Sequence, residues 1–233
     1  MFLTDDELKF IRKEGFLVLN QFKEVKATLE ILEAIKHVVV NEIQAHNTAE
    51  FYESHGAINF TFDNPHIMNS VLNDFSKEIK ITAGEIIPSV HFHMSLIQHN
   101  KAGLKHSIPW HQDISYTVGP GNFYNFLFYP QNSSKKMGGL RLVPKSHLLG
   151  KLSLGGSHDE LIGEIIVYPK AGDLIIVDGL TFHAVPVNNA KQDRYSFCTR
   201  FISSKIVGSK ALDIGHYRTG SYDYAKKEPV NHV

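Results

Sequence analysis

The sequence predicts a mainly β domain with flanking helices, in which short strands build a sandwich or jelly roll. Two observations carry this prediction. Short apolar runs recur along the second half of the chain, and turn signals rich in Gly and Pro separate them. At 233 residues the chain is long enough for a sizeable core, and β-rich domains of this length commonly stay undivided. We therefore expect one domain.

The first part of the chain, 1–85, is predicted to be mostly helical. Thr4-Asp5-Asp6-Glu7 has the pattern of a capping box at a helix start, and Gly15 offers a helix stop. Phe16–Leu19 is an apolar run suited to a buried strand. Apolar residues then recur at helical spacing, at Val25, Leu29, Leu32, Val39 and Ile43. Two helices are expected to bracket one strand.

The middle part, 86–205, is predicted to hold the jelly-roll core. Alternation with polar or smaller residues indicates a strand through Val90, Phe92, Met94 and Leu96. Further β-like runs occur at Phe123–Tyr129, Leu140–Val143, Ile162–Val167, Leu174–Val177 and Phe197–Ile202. Such a series favours a jelly roll over an alternating βαβ plan. The last part, 206–233, is expected to form a polar tail.

Charge and cysteine content narrow the function classes. The 24 basic and 24 acidic side chains cancel, and basic residues occur in no run longer than a pair, so neither a nucleic acid nor a membrane surface is an expected partner. A small-molecule substrate is expected instead, for a monomer or small homo-oligomer. The single cysteine, Cys198, cannot form an internal disulfide, and the first residues lack the apolar core of a signal peptide. These features favour a cytoplasmic location.

The motif His111-Gln112-Asp113 is the first candidate metal site. On a strand the two outer side chains point to one face and can share a cation. Chance alone predicts roughly 1.4 His-x-Asp/Glu triplets in this composition, and a second triplet does occur at His158-Asp159-Glu160, so context must decide. His183, at the end of a second apolar strand, supplies that context as a third ligand. Two imidazoles and one carboxylate leave three positions of an octahedral ion open, which suits non-haem iron(II).

Arg194 follows His183 by eleven residues and is the candidate anchor for a carboxylate. A planar guanidinium grips a carboxylate through two parallel hydrogen bonds, which fits the distal end of a dicarboxylic keto acid. Ser196 shares the same strand face and is a second candidate contact. His91 and His93 also alternate, but they lack a third partner and are interpreted as one polar strand face.

The chain resembles the phytanoyl-CoA dioxygenase family through several motifs. These are Trp110-His111-Gln112-Asp113, Gly138-Gly139-Leu140-Arg141-Leu142-Val143-Pro144-Lys145-Ser146-His147, Gly172-Asp173-Leu174-Ile175-Ile176-Val177-Asp178, and His183 with Arg194. The resemblance covers most of the chain, including the opening helix and strand. Lys145 departs from the glycine that is usual in the family's Pro-Gly-Ser-His turn.

The resemblance implies a double-stranded β-helix (jelly roll, cupin-like) core and an oxidoreductase that uses iron(II), 2-oxoglutarate and O2. By similarity, His111, Asp113 and His183 are the catalytic metal ligands, and Arg194 binds the side-chain carboxylate of 2-oxoglutarate. Gln98 and Asn125 are candidate amide contacts to the same cosubstrate. Trp110, Tyr116, His106 and Arg141 are candidate substrate contacts, although core packing is an alternative for Trp110, and a structural contact for Arg141.

The expected reaction is hydroxylation of an unactivated C–H bond in a small metabolite or natural-product intermediate, with release of succinate and CO2. Asp113 argues against halogenation, because related halogenases replace this carboxylate with a small residue. Desaturation, epimerisation and ring formation stay open. Two further alternatives are a cupin-type dioxygenase that needs no keto acid and a jelly-roll binding module without turnover. Arg194 counts against the first and the intact ligand set against the second.

Overall fold

A computed structural model describes residues 2–45, 57–62, 69–103, 107–150, 152–153, 159–209, 222–223 and 228–229. Within these residues, three helices flank two main sheets of antiparallel strands, one larger than the other. The strands are β1 (Phe16–Leu19), β2 (Ala57–Phe62), β3 (Val90–Asn100), β4 (Ile108–His111), β5 (Phe123–Tyr129), β6 (Leu140–Leu142), β7 (Leu152–Ser153), β8 (Ile165–Val167), β9 (Asp173–Asp178), β10 (His183–Val185), β11 (Arg194–Ser203), β12 (Tyr222–Asp223) and β13 (Glu228–Pro229).

Helix α1 (Asp5–Glu14) begins and ends as its sequence predicts. The hydroxyl of Thr4 accepts from the Glu7 amide at 3.2 Å, and the Glu7 carboxylate accepts from the Thr4 amide at 2.8 Å. Such a cap is worth about 1 kcal/mol. Gly15 closes the helix with a left-handed φ of 82° and donates to Ile11. A side chain at Gly15 would also collide with His147 and Thr181. Both the left-handed backbone and the lack of space therefore require glycine at this position.

Helix α2 (Val25–Ala45) and helix α3 (Ser70–Ile86) pack on one face of the larger sheet. The helix predicted from Val25 onward is present, and two of the positions that the spacing indicated, Leu32 and Val39, are buried. Val25 and Leu29 are exposed, whereas Ile31, Ile35 and Val38 are buried. The buried face therefore overlaps the predicted one but excludes its first two positions.

The larger sheet has the order β1-β9-β5-β11-β3-β2, and the smaller one β4-β10-β6-β8. A third, small sheet has the order β13-β12-β7. One apolar cluster fills the space between the larger sheet and the helices, and a second joins the larger sheet to the smaller one through contacts that include Leu127, Ile175 and Leu142. The central strands β5 and β9 are therefore buried on both faces, which explains their continuous apolar sequences.

A β-bulge at His93 changes which residues of β3 face the smaller sheet. Arg200 pairs with Met94 and Phe201 pairs with Phe92, so His93 is the extra residue. Val90 and Phe92 consequently pack toward the helices, whereas Met94 and Leu96 pack between the sheets. The simple alternation read from the sequence is interrupted at this point, and bulges commonly redirect side chains next to functional sites.

The first part of the chain, 1–85, contributes two strands to the larger sheet. Strand β1 pairs with β9, and strand β2 pairs with β3. The predicted tail, 206–233, lies mostly outside the described residues. Among the described helices, none is both long and apolar enough to cross a lipid bilayer.

Candidate active site

His111, Asp113 and His183 converge between the two sheets. His111 ends β4 and His183 begins β10, and the antiparallel register places the two opposite each other. The backbone amide of Asp113 donates to Gly179 at 2.8 Å, which fixes the turn after β4. One potential ligand atom from each of the three side chains lies within 4.8 Å of the others. The three residues form a cluster that can hold one metal ion.

Both histidines are oriented by backbone carbonyls. Nδ1 of His111 lies 2.8 Å from the Pro109 carbonyl, and Nδ1 of His183 lies 2.8 Å from the Thr181 carbonyl. Because a carbonyl can only accept, each Nδ1 carries the proton and each Nε2 keeps its lone pair. Those Nε2 atoms face Asp113, at 3.6 and 3.2 Å from its carboxylate oxygens. This is the arrangement that metal-binding histidines use.

The carboxylate of Asp113 is held by two further side chains. Arg200 Nη2 donates to Oδ1 at 2.9 Å, and Asn125 Nδ2 donates to Oδ2 at 2.7 Å. All three residues are largely buried, with Asp113 only 5% exposed. Each carboxylate oxygen thus has a nitrogen donor of its own.

The protonation states suit metal binding. Burial, together with the nearby His183, lowers the pKa of His111, so its ring is neutral at pH 7. Burial by itself would raise the pKa of Asp113, but the charge of Arg200 and the adjacent imidazole groups of His183 and His111 hold that pKa well below its usual range. A neutral imidazole and an ionised carboxylate are the forms that coordinate a metal.

A small, partly enclosed cavity lies beside the three candidate ligands, between the sheets. Its walls are apolar apart from the ligands and a few polar groups, among them Gln98 and Arg200. Gln98 accepts a hydrogen bond from Ser196 on the neighbouring strand at 3.2 Å. Cys198 also lines the cavity, and burial raises the pKa of its thiol to about 12, so it stays protonated.

Arg194 lies on the same strand face as Ser196 and Cys198, farther from the metal cluster. Its Nη1 donates to the carbonyls of Met137, Gly138 and Pro186, and the side chain is only 6% exposed in a setting where burial lowers its pKa. Within the described parts of the chain, no acidic side chain pairs with it. The positive charge of a buried guanidinium is therefore left without an anion, which is costly unless a ligand provides one.

Two predicted substrate contacts lie in the protein core instead of the cavity. Trp110 is 0% exposed, stacks on Phe182 and donates from Nε1 to the Asp159 carbonyl. Arg141 lies over the Trp110 ring and forms an ion pair with Glu164 at 2.6 Å. Neither side chain lines the cavity. These contacts fit the structural alternative for both residues.

Other histidines and aromatics occupy different places. His147 lies in the turn after β6, with Nε2 3.0 Å from the Arg12 carbonyl. His93 packs its ring against Phe123. Tyr116 begins a 3₁₀ turn, but its side chain lies outside the described part, as does the whole of His106.

Arg200 is the site residue that the sequence interpretation missed. Its signal was present, because Arg194, Ser196, Cys198 and Arg200 alternate along β11 and share one face. The spacing could not show that Arg200 contacts Asp113, because Asp113 is 87 residues away along the chain.

Two antiparallel sheets packed face to face, with a cluster of two histidines and one aspartate between them, define a metal-binding jelly roll. The sequence profile of the phytanoyl-CoA dioxygenase family (PhyH) matches residues 11–196, and the chain belongs to that family. This confirms the resemblance seen in the motifs. No curated protein sequence matches the chain significantly.

Solved structures with the same fold confirm the fold class. The epimerase SnoN, in complex with Fe³⁺, alpha ketoglutarate and nogalamycin RO, is 13% identical with a TM-score of 0.65, over 93% of this chain and 94% of its own. HygX from Streptomyces hygroscopicus, with nickel and 2-oxoglutarate bound, is 11% identical with a TM-score of 0.71, over 94% and 97%. The non-heme monooxygenase ThoJ is 18% identical with a TM-score of 0.67, over 85% and 77%.

Proposed function

We propose that the chain is a single-domain iron(II)- and 2-oxoglutarate-dependent dioxygenase that hydroxylates an unactivated C–H bond of a small molecule. The observation that carries this proposal is that strand β11 contains both the candidate anchor for the cosubstrate and two residues that line the cavity at the metal cluster. The buried guanidinium of Arg194, which lacks an acidic partner in the described structure, lies toward one end of the strand. Cys198 and Arg200, farther along, line the cavity that also contains the metal cluster.

The residues fit an iron(II) ion. His111, Asp113 and His183 offer two imidazole nitrogens and one carboxylate oxygen, and the backbone bonds to each Nδ1 leave both Nε2 atoms available. Three protein ligands on one face leave further positions for a chelating ligand and oxygen. The ligand types favour iron(II) over magnesium or calcium, which prefer oxygen ligands alone.

The residues also fit a dicarboxylic keto acid. Arg194 supplies a positive charge without an acidic partner in the described structure, Ser196 lies on the same face of β11, and Gln98 on the neighbouring strand lines the cavity. The surrounding side chains, such as Leu127 and Val185, are apolar and suit a short methylene chain. A buried charged anchor at one end and a metal at the other would fix both carboxylates of 2-oxoglutarate.

When bound, iron(II) and 2-oxoglutarate together supply oxygen activation, with loss of carbon dioxide and release of succinate. The protein's own part is to bind and orient. Arg194 holds the far end of the keto acid, the two histidines and Asp113 hold the metal, and the apolar walls exclude bulk water from the reacting atoms.

The solved structures support this proposal through what they contain. SnoN was crystallised with Fe³⁺ and alpha ketoglutarate, and HygX with nickel, 2-oxoglutarate and hygromycin B. We infer that the substrate of this chain is likewise a small metabolite or natural-product intermediate. Epimerisation is the second candidate reaction, because SnoN is an epimerase. A product heavier by one oxygen atom would indicate hydroxylation, whereas a product of unchanged mass would indicate epimerisation.

Anaerobic titration with iron(II) and 2-oxoglutarate tests the proposal. We expect a weak visible charge-transfer band in the wild type, none in His183→Ala, and a need for roughly 10- to 100-fold more 2-oxoglutarate in Arg194→Ala, since charged hydrogen bonds are worth roughly 1.5–3 kcal/mol. The exposed His91 gives a matched control, because His91→Ala removes a histidine outside the cluster. Folded protein that binds iron but shows no band would reject 2-oxoglutarate and favour the cupin-type or binding-module alternatives.

A further inference from the structure

The contacts of Arg200 set it apart from the other buried arginines. Its Nη2 atom reaches Asp113 Oδ1 at 2.9 Å, its Nη1 atom faces the sulfur of Met94 at 3.9 Å, and its guanidinium carbon lies 5.7 Å from the centre of the Phe123 ring. The guanidinium is thus fixed on three sides. Its one anionic contact in the described structure is a carboxylate that the proposed function assigns to the metal.

Arg200 and Asn125 approach Asp113 as a cross-strand pair. The two residues are directly opposite each other in the β11–β5 ladder, and each donates to a different oxygen of the same carboxylate. Rotation of the Asp113 carboxylate would break both hydrogen bonds at once. The register of the larger sheet therefore determines the orientation of a side chain that belongs to the turn after β4.

The bulge at His93 contributes to this geometry. It places Met94 opposite Arg200 and on the same face as Leu96, so that the thioether borders the guanidinium from the β3 side. The Nε atom of Arg200 is buried and has no hydrogen-bond partner among the described residues. Arg141, in contrast, donates to the Glu164 carboxylate from both Nε and Nη2.

We propose that Arg200 is a positioning residue which, together with Asn125, holds Asp113 in the orientation that lets it act as a ligand through one oxygen. This inference rests on the proposed function only in taking Asp113 as a metal ligand. Because each oxygen of Asp113 accepts a hydrogen bond from a different residue of the pair, the carboxylate cannot turn both oxygens to the metal without losing these bonds. Positions that a chelating carboxylate would occupy stay available for the cosubstrate and oxygen.

Binding of Co(II) in the absence of 2-oxoglutarate tests this proposal without requiring turnover. Calorimetric titration gives the affinity, and the visible absorption spectrum at saturating Co(II) reports the coordination. We expect Arg200→Met to bind Co(II) roughly 10- to 100-fold more weakly than the wild type, with a changed spectrum even at saturation. Arg200→Lys keeps the charge but lacks the planar fork, so its affinity should lie between the two.

Thr199→Val is the matched control. Thr199 neighbours Arg200 on β11, is fully buried, and bonds to Ser95 through its hydroxyl, but it does not line the cavity. The variant disturbs the same strand and should lower stability while leaving the Co(II) affinity within about twofold and the spectrum unchanged. A structural role for Arg200 would make Arg200→Met behave like this control.

The outcomes separate this inference from the proposed function. An Arg200→Met protein with the affinity and spectrum of the wild type overturns the inference, whatever the protein does with 2-oxoglutarate. If Arg200→Met does not fold, Arg200→Lys decides, and wild-type affinity with a wild-type spectrum overturns the inference there. A weakened, altered Co(II) site in a protein that gives no 2-oxoglutarate band would support the positioning role and reject the proposed cosubstrate.

Discussion

His183 lies directly opposite His111 in the β10–β4 ladder, and the centres of the two rings are 4.1 Å apart. The pairing of two strands of the smaller sheet therefore brings both imidazoles to one point before any metal is present. Each ring is also fixed by a carbonyl two residues earlier in its own chain segment. Preorganisation of this kind lowers the cost of ordering ligands when a metal binds.

We expect divalent metal to stabilise the folded protein through these residues. At a free Mn(II) concentration 100 times the dissociation constant, binding adds about 2.7 kcal/mol, which raises the melting temperature by roughly 5–10 °C for a domain of this size. Replacement of His111 or His183 by Ala should abolish the shift, as measured by thermal unfolding with and without Mn(II). An equal shift in His91→Ala is the expected control, and a retained shift in both ligand variants would locate the metal elsewhere.

Gly138→Ala is expected to disturb the Arg194 anchor. Gly138 has a φ of 77°, and an added Cβ would lie 2.9 Å from the Pro186 carbonyl oxygen and 3.1 Å from Arg194 Nη1. The variant should lose roughly 1–2 kcal/mol to backbone strain and a further 1–3 kcal/mol, roughly, to the collision. Urea unfolding measures the total, and titration of the metal-loaded protein measures the expected weakening of 2-oxoglutarate binding.

Gly208→Ala separates the two contributions to the Gly138 effect. Gly208 has nearly the same φ, 74°, but nothing lies within 4 Å of the position that its Cβ would take. This control should show the strain alone and leave 2-oxoglutarate binding unchanged. Equal losses in the two variants would mean that the contact with Arg194 contributes nothing.

The parts of the fold that the sequence predicted are those whose signals are local. The capping box at Thr4, the stop at Gly15 and the apolar strand Phe123–Tyr129 all appear where they were expected. The candidate ligands His111 and Asp113 could likewise be recognised because they are only two residues apart along the chain. These features depend on residues that are close along the chain, so their patterns survive without knowledge of the tertiary structure.

The parts that the sequence did not predict depend on contacts between distant segments. The buried face of α2 is set by the sheet against which it packs, and the bulge at His93 is defined only by its pairing with β11. Trp110 was offered as a substrate contact because it precedes a ligand, yet its ring packs on Phe182. Chain proximity to a metal ligand does not place a side chain in the cavity, because alternate strand residues face opposite sides.

Lys145→Gly is expected to stabilise the protein. Lys145 adopts a φ of 67°, a left-handed conformation that costs a non-glycine residue roughly 1–2 kcal/mol. Glycine removes this strain but gains about 0.5–1 kcal/mol of chain entropy in the unfolded state. The net gain should be about 0.5–1 kcal/mol in urea unfolding.

Lys145→Ala is the control for the lost side chain. It keeps the strain and removes only the contact of Lys145 with Glu14, which spans 3.8 Å and is worth little because the lysine is 57% exposed. Its stability should therefore stay close to that of the wild type. If Lys145→Gly were no more stable than Lys145→Ala, the strain of the left-handed turn would be no larger than the entropy cost of glycine.

His99 is expected to make stability depend on pH. Its ring is buried, stacks on Tyr195 at 4.1 Å, and lies 2.8 Å from Asp193. Burial lowers the pKa of His99 below its usual 6.5, and the hydrogen bond to Asp193 offsets this only in part. The unfolded state therefore binds a proton as the pH falls below 6.5, whereas the folded state does not, so that stability is lost with falling pH.

We expect His99→Gln to remove this component of the pH dependence. The free energy of unfolding of the wild type should fall more steeply between pH 7.5 and 5.5 than that of the variant, by at most about 1.4 kcal/mol per pH unit for one group. Urea unfolding at several pH values measures the difference. A variant whose stability falls as steeply as that of the wild type would show that His99 keeps its unfolded pKa in the folded protein, with the Asp193 carboxylate fully offsetting the effect of burial.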